Sequence, residues 1–438
     1  MGPVTAFIEA ATWHGTLERA EAIRAAHPEV AGTSIHTAAI LGDDAAVRRF
    51  IAQDPKNVTA KSPPYGGDAL THLGLSKYLR LVPARSDAFL RAAKALLDAG
   101  ADPNTGFWTT GQHPERETAL YGAAGVAHHA ALTRLLIERG ADPNDEEAVY
   151  HSPESYDNGA MQVLVETGKV TAENLVMMLI RKHDWHDYDG AKWLLEHGAN
   201  PNHARQRGWN PLHHALARDN SLEMIALLLE HDADPAAAKN GVTVVARAAR
   251  EGRSDVLELF QQRGIRIELH GVDRLIAACA NGDAASARAI AEREPHLVSE
   301  VKAMGGALLA RFAGTDNPPG VRQLLDLGVD VAAPFTEGDG YWDEPKNSLA
   351  IHVAAWRGRP AVVKLLITRG SPIDLPDANG RTPLALAVKA CVDSYWTERR
   401  SPESVQALLS AGASTAGVAF PSGYAEVDAL LRQHRPQA

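Results

Sequence analysis

The chain has 438 residues, is 45% hydrophobic and 22% charged, and carries a formal net charge of −10. That acidic balance, with no stripe of Lys and Arg, argues against a nucleic-acid partner gripped through its phosphates. A globular chain of this length divides into two or three domains, whereas an array of stacked repeats continues as one.

From the N-terminus, residues 1–30 read as two short amphipathic helices. Glu9, Glu18, Arg19 and Glu21 interrupt the apolar runs, so the segment reads as neither signal peptide nor membrane span. A phrase then recurs: Gly100-Ala101-Asp102-Pro103-Asn104, Gly140-Ala141-Asp142-Pro143-Asn144 and Gly198-Ala199-Asn200-Pro201-Asn202. Each copy follows a leucine-rich pair, Leu96-Leu97, Leu135-Leu136 and Leu194-Leu195. Weaker copies stand at Asp232-Ala233-Asp234-Pro235, Gly264, Gly328, Gly370 and Gly412. Nine units of roughly 35 residues divide the interval from Gly100 to Gly412, the period of a helical repeat array. One such unit cannot bury its own apolar face, so neighbours must stack.

The helix starts carry a second pattern: Thr33-Ser34-Ile35-His36, Asn210-Pro211-Leu212-His213 and Gly380-Arg381-Thr382-Pro383-Leu384. One stretch runs complete from Ile351-His352-Val353-Ala354-Ala355 through Gly358 and Val362-Val363-Lys364-Leu365-Leu366 to Gly370. Thr or Ser caps a helix, Pro fits its first turn, and Gly closes the second helix in the left-handed conformation. These motifs resemble the ankyrin repeat over nearly the whole chain, from about Gly32 to Gly412. The fold expected is therefore all-α: a solenoid of about twelve helix-pair units with short β-hairpin fingers. It would form one domain over 1–438, with an N-terminal cap (1–32), repeats (33–414) and a C-terminal cap (415–438). In that geometry the fingers and first helices line a concave groove. The resemblance also implies that His36, His213 and His352 hydrogen-bond backbone in adjacent loops, as structural histidines.

Several units depart from the pattern. A regular unit sets Leu349 and Leu365 16 residues apart, whereas Asp68 to Leu96 spans 28 and Thr382 to Leu408 spans 26. The extra residues are inter-helix insertions. The first holds Lys77, Tyr78, Arg80 and Arg85, and the second Tyr395-Trp396-Thr397-Glu398-Arg399-Arg400. A shorter one holds His183, Asp184, Trp185, His186, Asp187 and Tyr188. Two fingers are extended, one with Phe107 and Trp108, the other with Tyr341, Trp342, Asp343 and Glu344. The unit with His151, Glu154, Tyr156 and Asp157 is short and irregular. Exposed aromatic rings beside carboxylates and Arg have the composition of a binding surface. The plainer reading is that long loops use Trp and Tyr to anchor themselves.

The binding candidates also include His72, His214 and Arg247, one position beyond the structural histidine, where the side chain is expected to turn toward the groove. Tyr121, Trp209, Trp356, Arg357 and Trp396 complete them. His128 and His129 read as exposed turn residues. His183 and His186 with nearby Asp side chains offer possible metal ligands, but the spacing has no fixed flanking pattern, and no metal and no cofactor are expected. Glycine-rich phosphate loops, a Gly-x-Ser-x-Gly elbow and a dinucleotide fingerprint are all missing, so no catalytic residue is assigned. Cys279 and Cys391 read as buried thiols of a cytoplasmic protein.

The function expected is protein–protein interaction through the groove, with a protein partner and with neither nucleic acid nor membrane as partner. The alternative is that the extended loops close a polar, aromatic pocket for a small molecule or carbohydrate, making an unusual binding protein or enzyme.

Overall fold

The computed structural model describes residues 2–203, 210–394 and 396–434. They gather into two compact units, Met1–Ala233 and Asp234–Ala438, each a stack of antiparallel helix pairs. Strands are confined, among the described residues, to two small hairpins, Gly106–Trp108 with Arg116–Thr118 and Ala238–Lys239 with Val242–Thr243.

The first unit opens on the helices Pro3–Ala11 and Leu17–Ala26, the expected N-terminal pair. In the pair that follows, Ser34 caps Ile35–Leu41, Gly42 closes it at φ 66°, and Asp43 caps Asp44–Gln53. First helices then pack on first helices and second on second: Ile35–Leu41 on Ala69–Gly74, and Asp44–Gln53 on Ser86–Asp98. The second unit follows the same rule. Ala350–Trp356 lies between Gly305–Gly314 and Pro383–Asp393, while Pro360–Thr368 lies between Pro318–Asp326 and Glu403–Ser410. Small residues permit the approach. A Cβ on Gly122 would stand 2.4 Å from the backbone carbon of Gly74.

The recurrent Gly-Ala-Asp-Pro-Asn phrase ties each repeat to the next. Its glycine is left-handed, with φ 95° at Gly100, 100° at Gly140 and 97° at Gly198. Its Asp carboxylate, or the Asn200 carboxamide oxygen in the third copy, accepts the amide two residues on. Its final Asn then reaches across. Asn104 donates to the Gly140 carbonyl and accepts from the Asp142 amide, and Asn144 does the same with Lys169 and Thr171. Asn202 donates to the Asp232 carbonyl. Two of the structural histidines make the expected backbone contact: His36 Nε2 meets the Ala60 carbonyl at 2.7 Å and His352 Nε2 the Leu375 carbonyl at 2.8 Å. His213 Nδ1 meets the side chain of its own cap residue, Asn210.

Some local expectations are corrected. His128 and His129 are half-buried rather than exposed. His129 Nδ1 accepts the Leu132 amide and so caps Ala130–Glu138. The helix Ala119–Tyr121 passes into a π turn over Gly122–Val126, in which the Ala127 amide reaches back to the Gly122 carbonyl. In the pair Leu365-Leu366 only Leu366 is fully buried. The first insertion folds back on its own scaffold. Tyr78 is buried with its hydroxyl on Glu21, and the guanidinium of Arg85 lies over its ring and donates to the Leu41 carbonyl.

Leu194→Ala and Leu366→Ala should each leave a cavity between stacked second helices and cost about 2–5 kcal/mol, with Leu365→Ala markedly milder. Urea unfolding of the three variants checks the order; equal losses at Leu365 and Leu366 would contradict the packing described.

Candidate functional site

In the first unit the sequence candidates from His151 to His214 cluster on three successive repeats. Asp145 caps the helix Glu146–His151, which presents Glu147 and His151 one turn apart. His151 Nε2 lies 3.2 Å from Glu147 and Nδ1 2.8 Å from Glu154. Burial pushes this imidazole down, but the two carboxylates outweigh it and carry it up to about 9, so it is a cation at neutral pH. Glu154 also binds the Arg181 guanidinium, which lies over the Tyr150 ring and joins Asp184. Asp184 ends the helix Ala172–Asp184 and faces the next first helix, Pro211–Ala217. There His214 Nε2 lies 2.8 Å and Arg218 Nε 2.7 Å from its Oδ1. Burial alone would raise the Asp184 carboxyl. The His214 N–H and the Arg218 guanidinium hold it well below the usual carboxylate range. A continuous ladder of alternating charge therefore runs Glu147–His151–Glu154–Arg181–Asp184–Arg218.

Aromatic rings flank this ladder. Tyr121 is buried 5.3 Å from the His151 ring. Tyr156 is 68% exposed, packs edge-on to the half-buried Trp185 and donates its hydroxyl to the Trp185 carbonyl. Asp157 accepts the Gly159 amide at a helix start. Trp108 projects from the finger at 63% exposure, while its neighbour Phe107 is buried against Trp13 and Tyr65.

Other candidates are interior groups. His72 and His183 are fully buried, and burial followed by a neighbouring imidazole pushes each down to about 3. The expectation that His72 turns toward the groove as an accessible group is therefore corrected: it is enclosed and packs against His36. Asp187 caps Tyr188–Glu196 and holds the Lys182 ammonium, itself fully buried, at 2.8 Å. His186 takes a left-handed backbone at φ 52°. Among the described residues no three His, Cys, Asp or Glu side chains converge as a metal site. Trp209 lies outside the described residues.

In the second unit the extended finger is packed on its own helix. Trp342 is 4% and Trp396 9% exposed, their rings 4.8 Å apart, so the finger and the distant inter-helix insertion do meet. The Arg357 guanidinium lies over the Trp342 ring and pairs with buried Glu344 at 2.7 Å. Burial pushes the Glu344 carboxyl up against the pull of Arg357. Trp356 Nε1 donates to the Trp342 carbonyl. Asp343 stays exposed on the outside of this arrangement, where it pairs with Arg381, and of the two finger rings Tyr341 is the exposed one. Arg247 pairs with Glu251 at 2.6 Å, one turn along its own helix.

Glu117 is a group that reading the finger as a single extension passed over. It stands directly across from Phe107 in the hairpin and is 2% exposed; its Oε2 has no hydrogen-bond partner. Burial first, then Glu147 and Glu115, push its carboxyl up to about 7. Its pairing with Phe107 is set by the hairpin register, which no local motif announces, and the rings against Phe107 come from Trp13 and Tyr65.

Comparison with known proteins agrees with this architecture. Residues 176–271 match the family description "Ankyrin repeats (3 copies)" and residues 315–387 "Ankyrin repeats (many copies)". The chain is similar to "Serine/threonine-protein kinase 12" of Arabidopsis thaliana, 34% identical over 84 residues, 19% of this chain and 16% of that protein. It is also similar to "Putative palmitoyltransferase ZDHHC13" of Danio rerio, 28% identical over 142 residues, 26% of this chain and 20% of that protein. The chain thus spans a fifth or less of the length of these curated relatives.

Asp184 has a depressed pKa, so it contributes stability above the unfolded value near 3.8, and that stability is lost as pH falls through the folded value. Asp184→Asn should lower the melting temperature at pH 7 and flatten its acid dependence below about pH 4. Glu117 works in the opposite direction. Its raised pKa favours the folded state below about 4.5, and this is lost as pH rises through about 7. Glu117→Gln should therefore gain on the wild type between those values, by at most about 3 kcal/mol. Thermal melts of both variants across pH 3–8 check the two signs.

Proposed function

Because this chain is an ankyrin-repeat protein, we propose that it binds a protein partner through the face of its first unit that runs from Trp108 to His214. The fold supports a protein–protein interaction role in general. The location rests on one observation: four of the large hydrophobic side chains left exposed among the described residues, Trp108, Tyr150, Tyr156 and Tyr188, fall within these irregular repeats. Tyr and Trp are the residue types that dominate binding energy at interfaces, because a large rigid ring buries area at little entropic cost. The Arg181 guanidinium against the Tyr150 ring joins that ring to the charge ladder from Glu147 to Arg218, whose partly exposed carboxylates and guanidinium groups offer polar contacts in fixed positions. In the groove geometry of the family, fingers and first helices, which here carry Trp108 and Tyr150, line the groove, and the inter-helix turns, which carry Tyr156 and lead into Tyr188, stand at its opposite edge.

The ligand-pocket alternative draws less support. Trp342, Trp356 and Trp396 are spent on one another and on Arg357, so the second unit's finger acts as an anchored scaffold element. Asp184 is likewise engaged by its own neighbours, so substituting it would perturb folding as well as recognition.

The double variant Trp108→Ala/Tyr156→Ala tests the location. Its circular dichroism should match the wild type, since both rings are mostly exposed. Affinity for a protein co-purified with the wild type should fall by about tenfold or more. An unchanged affinity in the folded double variant would remove this face from consideration.

A further inference from the structure

We propose that Glu117 and Glu147, walled by Trp13, Tyr65, Phe107 and Tyr121, form a receptor for one basic side chain, a lysine or an arginine, of the protein partner. The inference rests on the partner-binding reading and specifies the chemistry of one contact within it.

The site is built from three places in the first unit. The left-handed residue Trp13 follows the first helix, and its amide is fixed by the Leu75 carbonyl. The finger supplies Phe107 and Glu117, paired across its two strands. Directly opposed residues of an antiparallel pair share one face, so the Glu117 carboxyl lies on the side where Phe107 meets the aromatic rings. There the Tyr65 ring stacks on Phe107 at 5.2 Å, and Trp13 meets both edge-on at 5.6 and 5.7 Å. The first helix Ala119–Tyr121 and its successor Glu146–His151 add Tyr121, Glu147 and His151.

Charge decides what this place accepts. Glu117 is more than nine-tenths buried, makes no ion pair, and leaves Oε2 without a hydrogen-bond partner. A buried carboxyl without a donor is costly, and native structures normally satisfy such groups. The charged groups facing it are Glu147, Glu115 and Asp145, all acidic, and His151, whose two ring nitrogens are already taken by Glu147 and Glu154. The field is thus short of one cation. Glu147 remains 19% exposed at its side chain and marks the approach from solvent. Aromatic faces favour an ammonium or guanidinium and give nothing to an anion. The chain's net charge of −10 also favours a basic partner at long range.

The test is a titration of 15N-labelled full-length protein with N-acetyl-lysine amide, following the indole N–H resonance of Trp13. N-acetyl-norleucine amide, of similar shape but uncharged, is the control. The expected result is a saturable shift with millimolar affinity for the lysine derivative. Glu117→Gln should weaken it by about tenfold, and Glu147→Gln should weaken it as well. N-acetyl-arginine amide should compete for the site, and the norleucine derivative should leave Trp13 still. Glu117→Gln removes a strained charge and should fold; Glu147→Gln keeps the question decidable if it does not. An equal response to norleucine amide, an undiminished lysine response in both variants, or no response at all would overturn the receptor. If partner binding still depends on Trp108 and Tyr156 while Trp13 ignores lysine amide, the receptor falls and the binding face stands.

Discussion

The side-chain amide of Asn104, repeated at Asn144 and Asn202, is the contact on which the regularity of the first unit depends. Apolar packing sets how closely neighbouring helix pairs approach, but it puts no fixed mark on the loops that join them. The carboxamide supplies that mark: it donates to one backbone carbonyl of the following loop and, at Asn104 and Asn144, accepts an amide from the same loop. Each bond is individually modest in a solvent-facing position. Repetition makes the register exact enough for close backbone approaches such as Gly74 with Gly122. The left-handed glycine four residues earlier aims the loop so that the Asn can reach.

Most of the fold was legible because its signals are local. Helix caps at Ser34, Thr382 and Asn210, left-handed glycines and the Leu pairs each act within a few residues, and they repeat. The histidines at His36 and His352 were legible for the same reason, through the resemblance. What was illegible depends on which neighbour closes over a residue. His72 sits one position beyond the place of the histidine that defines the helix start, yet the rings of His36 and Tyr65 pack against it and it is fully buried. Leu365 and Leu366 are chemically identical in sequence, and only the next helix separates them. The π turn at Gly122 shifts the phase of everything that follows it in that helix, which no count of residues between repeats reveals.

For the candidate site, composition pointed to the right segments and failed to distinguish two uses of the same residue types. In the finger around Trp342 the aromatic rings and the ion pair hold a loop onto its scaffold. Around Tyr156 and Trp108 comparable rings stand in solvent. Sequence has no local mark for this difference, since it is set by whether a second loop arrives to cover the first. Glu117 shows the converse: an unremarkable acid in a polar finger that the fold buries opposite Phe107, the ring that meets Trp13 from over ninety residues away.

Lys182 carries a consequence for watching this protein in motion. Its ammonium is fully enclosed, held by Asp187 and by the Ser155 carbonyl at 2.6 Å, and burial lowers its pKa despite the carboxylate. An amine so enclosed is shielded from acylating reagents for as long as the irregular repeats remain closed. Its rate of covalent labelling, set against that of exposed Lys94 or Lys192, would therefore act as an internal clock for how often this one region of the chain opens.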